Sequence, residues 1–271
     1  MDRAAKDQAE RFDVRSSDGT ALAVWVDGNG PPLVLVHGSL GDHTRFDLLV
    51  AELRDDLTTF AMDRRGFGAS GDAAEYELER EFEDVAVVVD AVAARAGGPV
   101  ALWGHSFGAG CAMGAATLIG NVSHLVLYEP GLGLAYPPGS IEAVEKALAA
   151  GDREAALRLV FVSILEMTDA DVDAMRADPS WAMRLAIAPT VPRECRAEES
   201  WVYRPGRFER IAAPTLMLTG TDSPPSLQEA ARRAVEALPG AQVKILDGHG
   251  HIATRTDPAL VAAIIRQFLA A

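Results

Sequence analysis

The chain opens with two short stretches, Arg11 to Arg15 and Ala21 to Val26, on either side of the turn signal Ser17-Asp18-Gly19, and this pattern predicts an antiparallel hairpin. Past Gly28-Asn29-Gly30-Pro31-Pro32 the character changes. Leu33 to Val36 is short and continuously apolar, as a strand must be when a parallel sheet covers both its faces. Runs read in the same way are Thr58 to Met62, Val100 to Trp103, His124 to Tyr128, Thr215 to Leu218 and Gln242 to Leu246. Between most of them the apolar period lengthens to that of a helix, over about 43 to 54, 79 to 96, 107 to 119, 226 to 238 and 257 to 270. Strand alternating with helix predicts an α/β class fold with a mostly parallel sheet.

One interval breaks the alternation. From 131 to 210 there is no convincing buried strand; a loop-like start is followed by amphipathic patterns at 140 to 150, 152 to 166, 169 to 177 and 179 to 187, before Pro189, Pro192 and Pro205 interrupt them. The interval reads as a helical insertion on the sheet.

Composition narrows the classes. The chain has 271 residues, enough for one large domain or one domain with an insertion, and no apolar run approaches the ~18 residues that span a bilayer. Met1 to Glu10 is polar and lacks the apolar core of a secretory signal, so the expected location is cytoplasmic. A net charge of −14 argues against nucleic acid as a partner, because displacing phosphate counterions needs a basic patch. The basic residues are almost all arginine, lysine standing only at Lys6, Lys146 and Lys244, and with the abundant alanine this points to a GC-rich, bacterial genome. Cys111 and Cys195 suggest neither a disulfide framework nor a metal cluster. No cofactor fingerprint is present, and the expected partner is a small-molecule substrate, bound by a monomer or homodimer with no membrane attachment.

Candidate chemistry centres on Gly104-His105-Ser106-Phe107-Gly108, a serine between two glycines directly after an apolar run. Such an elbow forces the serine into a strained backbone between strand and helix, and needs small residues where neighbouring chain passes close by. A serine hydroxyl is a weak nucleophile at neutral pH. It needs a base to take its proton and a third group to orient that base. His251, after the last strand and before the C-terminal helix, is the expected base ahead of His249, and Asp222, after the preceding strand, is the expected acid. An oxyanion needs backbone donors, here the amide of Phe107 and that of Ser39 in His37-Gly38-Ser39-Leu40-Gly41, with Leu40 in reserve. His37 is expected to structure its loop, and Asp63, Arg64 and Arg65 to form a turn-stabilising polar cluster.

Taken together, His37-Gly38-Ser39, Asp63 to Ser70, Gly104 to Gly108, Gly220-Thr221-Asp222 and Gly250-His251 resemble the ordered signature of the α/β-hydrolase superfamily over nearly the whole chain. The resemblance implies an eight-stranded, mostly parallel sheet, a core of 1–130 and 211–271, and a helical cap of 131–210 after strand 6. It also implies a hydrolytic triad of Ser106, Asp222 and His251. Many relatives have a longer gap than Gly-x-Asp, and some carry the acid at the end of strand 6, where this chain has Glu129; Glu129 is therefore the alternative acid. Serine at 106 disfavours the epoxide- and halide-displacing members, which use aspartate. The expected activity is hydrolysis of a small, partly apolar carboxylic ester or lactone through an acyl-enzyme. Thioester or carbon–carbon bond hydrolysis, or a ligand-binding or cofactor-independent lyase role, are the alternatives.

Overall fold

A computed structural model describes residues 10–178, 180–238 and 240–271. The polar N-terminal stretch and the expected helix start at Pro179 lie outside the described residues. Eight strands form one sheet: β1 (Glu10–Arg15), β2 (Ala21–Gly28), β3 (Pro32–Val36), β4 (Thr58–Met62), β5 (Val100–His105), β6 (Val122–Tyr128), β7 (Thr215–Gly220) and β8 (Gln242–Leu246). Their spatial order is β1-β2-β4-β3-β5-β6-β7-β8, with β1, β2 and β4 antiparallel and every later pairing parallel.

The continuous apolar runs follow from helices on both faces. Along β3, Val34 and Val36 join a core with Leu102, Leu127 and Met217 beneath α2 (Leu78–Ala96) and α3 (Phe107–Ala115). Leu33 and Leu35 point the other way and join Trp103, Val126 and Leu218 beneath α1 (Asp47–Leu53) and α11 (Pro258–Leu269). A strand residue steps to the opposite face at each position, so both parities must be apolar. Strand β8 departs from the expected burial. It is the sheet edge, and its Val243 and Ile245 remain 50% and 59% exposed.

Between β6 and β7 the described residues are helical: α4 (Ser140–Ala149), α5 (Arg153–Leu159) continuing into a π turn (Val160–Ile164), α6 (Asp169–Met175), α7 (Trp181–Ile187) and α8 (Val191–Ser200). These helices share their own core of Val144, Leu157, Phe161, Val172 and Trp181, and Leu40 of the His37–Gly41 loop reaches up into it. Helix α8 was not expected, because Pro192 reads as a breaker. Pro192 lies in the first turn, where its missing N–H has no intrahelical partner to lose, so it starts the helix instead. Further on come α9 (Pro225–Ala237) and a short α10 (Ala253–Thr256), and Asp257 caps α11 by accepting from the Leu260 amide. Among the described residues no helix is long and apolar enough to cross a membrane.

Candidate active site

Ser106 stands between β5 and α3 with φ 56° and ψ −126°, a conformation costly for a side-chain-bearing residue. The surroundings hold it there. Its amide donates to the Tyr128 carbonyl at the end of β6, and its own carbonyl accepts from Ala109 and Gly131. The flanking glycines are sterically required: a Cβ at Gly108 would lie 2.2 Å from the His37 carbonyl oxygen, and one at Gly104 would lie 2.5 Å from Ala109 Cα. Gly38 is the third close approach. A Cβ there would sit 2.7 Å from Ser106 Cβ, so the His37–Gly41 loop passes directly against Ser106. Leu40 adopts φ 54° in that loop as its side chain turns away into the helical segment.

His37 locks the loop from below. Its Nδ1 donates to the Gly38 carbonyl at 2.8 Å, and its Nε2 accepts from the Arg64 amide at 3.1 Å. Full burial, reinforced by the Arg64 charge, lowers its pKa to about 3, so the ring stays neutral and structural. Asp63 is likewise structural: its carboxylate accepts from the amides of His43 and Ala69 and from the indole of Trp25. Arg64 is wholly buried. Its guanidinium reaches Glu81 of α2, Glu194 of α8 and the Gly38 carbonyl, tying the helical segment, the sheet and the loop together.

His251 and a buried carboxylate meet on the same sheet edge. His251 Nδ1 lies 2.6 Å from Glu129 Oε2, and Glu129 Oε1 accepts from the Gly220 amide at 2.8 Å and the Thr219 hydroxyl at 3.2 Å. Glu129 is fully buried and follows β6 with φ 46°, a left-handed position rare outside glycine. Burial alone would raise its carboxyl; the hydrogen bond and charge of His251, with the Gly220 amide, outweigh that and hold it below its ordinary range. An ionised Glu129 makes Nδ1 of His251 the donor, which leaves Nε2 as a free acceptor. His105 steadies the ring from one side, with centroids 4.5 Å apart and its Nε2 2.7 Å from the His251 carbonyl.

Asp222, the expected acid, is elsewhere. Its side chain is exposed and accepts from the neighbouring Thr221 hydroxyl, while its backbone amide donates to the His249 carbonyl at 2.9 Å. The short Gly-x-Asp turn explains this. Gly220 packs so closely under the His249 carbonyl that a Cβ would be 2.1 Å from it, and a carboxylate two residues later has already turned to solvent. The carboxylate that the structure brings to His251 is the alternative, Glu129; the turn at Asp222 supports the histidine loop through its backbone. His249 faces Asp257 at 3.9 Å, away from this pair.

Sequence reasoning did not find Glu198 of α8. It is buried beside the elbow, receives the Tyr136 hydroxyl on Oε2, and its Oε1 occupies the space a Gly131 Cβ would need, 2.2 Å away; the Phe107 amide nitrogen lies 3.5 Å from the same point. Burial, with the charge of Glu194 adding to it, pushes Glu198 up to about 8. A signal would have been an acid on the apolar side of a helix, but the prolines hid that helix. Among the described residues no cluster of histidine, cysteine or acid is placed to hold a metal.

Comparisons with known proteins bear on the family and the fold. Residues 33–264 match the model of the family described as the alpha/beta hydrolase family. A curated relative, 2-(acetamidomethylene)succinate hydrolase of Mesorhizobium japonicum, is 25% identical over 99% of both chains. Lipase LipV of Mycobacterium tuberculosis is 28% identical, covering 89% of this chain and 94% of its own. Among solved structures, an alpha/beta hydrolase from Sphaerobacter thermophilus superposes with a TM-score of 0.81 at 30% identity, over 95% of this chain and 99% of that one.

Proposed function

The chain belongs to the α/β-hydrolase family, and we propose that it is a serine hydrolase that cleaves a small, partly apolar carboxylic ester or lactone. The observation that carries the reading is the Glu129–His251 pair at the elbow that strains Ser106. Ser106 Oγ attacks the acyl carbon as His251 Nε2 takes its proton. Glu129 keeps the imidazole in the required tautomer and stabilises the imidazolium that forms. The developing oxyanion faces the amides of Phe107 and Ser39, each such donor being worth ~10²- to 10³-fold in turnover. His251 then gives its proton to the leaving alcohol, the acyl-enzyme remains, and water deprotonated by His251 releases the acid and restores Ser106.

The helices of 131–210 act as the cap over this centre, with Leu40 and Glu194 as their points of attachment. The names of the relatives, a hydrolase and a lipase, are consistent with acyl chemistry of this kind. The test is a screen of short-chain aryl esters and lactones, with Ser106→Ala as control and mass-spectrometric mapping of a fluorophosphonate label. Turnover lost in Ser106→Ala, with the label on Ser106, is the expected result. No turnover of any ester or lactone and no label on Ser106 would overturn the reading.

A further inference from the structure

Most arginines of this acidic chain are tied to carboxylates; Arg64, Arg65, Arg158, Arg193, Arg196 and Arg232 are examples. Three are not. Among the described residues, no carboxylate lies within 4.0 Å of Arg45, Arg184 or Arg255. These three come from distant parts of the chain.

Arg45 follows the His37–Gly41 loop, and its stem lies along the open face of Gly41, with Cβ, Cγ and Cδ 3.7 to 3.9 Å from where a Gly41 Cβ would be. Arg184 descends from α7. Its Nε is held by the Ser180 hydroxyl at 3.2 Å and its guanidinium lies 5.7 Å from the Phe161 ring, in the same apolar cluster that receives Leu40. Arg255 is on α10, immediately after His251, and that helix packs against α1, which begins just past Arg45. The three therefore approach from the oxyanion loop, the cap and the histidine loop.

Their charges feel one another. Burial first, then repulsion from Arg184 and Arg255, lower Arg45 to about 10, and burial with repulsion from Arg255 lowers Arg184. The nearby acids Asp47 and Asp178 sense these arginines without reaching ion-pair distance. Guanidinium groups with no carboxylate at ion-pair distance are arranged for one supplied by a ligand.

We propose that Arg45, Arg184 and Arg255 bind a carboxylate on the substrate, making the preferred ester one whose acyl or alcohol part carries a free acid. The guanidinium fork matches carboxylate geometry, and Arg45 stands beside Gly41 in the loop whose Gly38 touches Ser106. This inference rests on the serine-hydrolase reading and narrows it to a substrate class.

The test compares kcat/KM for 4-nitrophenyl hemiglutarate with that for its methyl ester, in the wild type and in Arg45→Met, Arg184→Met and Arg255→Met. The wild type is expected to favour the free acid by about tenfold or more, the worth of one charge-assisted contact. Each substitution should cut that preference severalfold, and raising salt from low to high should narrow it. Because a ratio is read, loss of folded protein cancels. Arg158→Met, which removes an exposed arginine paired with Asp169 and Asp173, should leave the ratio where it was. A wild type indifferent to the acid, or a preference unmoved in all three variants, overturns the inference while the hydrolase reading stands on turnover of the methyl ester. Absence of turnover for both esters, with no label on Ser106, would remove both.

Discussion

Replacing the carboxylate of Glu129 by an amide tests the centre most directly. In Glu129→Gln the side-chain oxygen can still accept from the Gly220 amide and Thr219 hydroxyl, so the β6–β7 junction keeps its bonds. The new NH2 group then faces His251 Nδ1, which lies 2.6 Å from the wild-type oxygen and must now accept instead of donate. The proton moves to Nε2, and the base proposed for Ser106 is gone. The equivalent change of tautomer in serine proteases costs ~10⁴-fold in kcat, or about 5.5 kcal/mol of transition-state stabilisation. Asp222→Asn is the contrast. Its carboxylate is exposed, its backbone donation to His249 survives, and a change of about threefold or less is expected, within the ~0.5 kcal/mol of a surface substitution. Steady-state hydrolysis of an aryl ester by both variants, each checked by thermal melting, decides the matter. A loss in Asp222→Asn equal to or greater than that in Glu129→Gln would refute the assignment.

Three further outcomes follow from the same geometry. Gly220→Ala places a Cβ 2.1 Å from the His249 carbonyl, so the histidine loop must shift, and kcat should fall by about 10²-fold with KM less affected; wild-type kcat in the folded variant would contradict this. Arg64→Ala strands the buried Glu81 and Glu194, each of which already has one oxygen without a partner, and should cost ~3–5 kcal/mol in chemical denaturation, a loss below about 1 kcal/mol being the refuting result. Glu198 has a folded-state pKa raised from 4.5 to about 8, so the folded form holds the extra proton between those values, and stability falls as pH rises from about 4.5 to about 8 before levelling. Glu198→Gln should remove a decline on the order of a few kcal/mol, read as the difference between urea midpoints at pH 5.5 and 8.5; a slope identical to the wild type's would show the carboxyl is ionised throughout.

The sheet and the elbow were readable in the sequence because each rests on a local rule. Leu33 to Val36 is apolar at both parities since helices cover both faces, and Gly104 and Gly108 flank Ser106 since backbone passes within 2.5 Å of where their side chains would be. The position of His251 between the last strand and the last helix was readable from the same alternation. The acid was not settled, because Gly-x-Asp and Tyr-Glu-Pro each put a carboxylate after a strand, and only the close packing of Gly220 under His249 decides which of them faces inward. Helix α8 was masked by Pro192, which cannot be told from a breaker until its position in the first turn is known. The unpaired arginines were invisible for another reason: residues 45, 184 and 255 have no spacing in common, and whether a carboxylate pairs with each is decided by tertiary packing.

The buried guanidinium of Arg64 has a mechanical meaning. Since one side chain is bonded at once to Glu194 of α8, Glu81 of α2 and the Gly38 carbonyl beside Ser106, lifting α8 would leave unpaired charge in a dry interior and pull on the His37–Gly41 loop in the same motion. Helix α8 is thereby the anchored end of the helical roof. The exposed ion pairs that join α5 to α6, Arg158 with Asp169 and Asp173 and Glu154 with Arg176, are by contrast ones that water can replace at little cost.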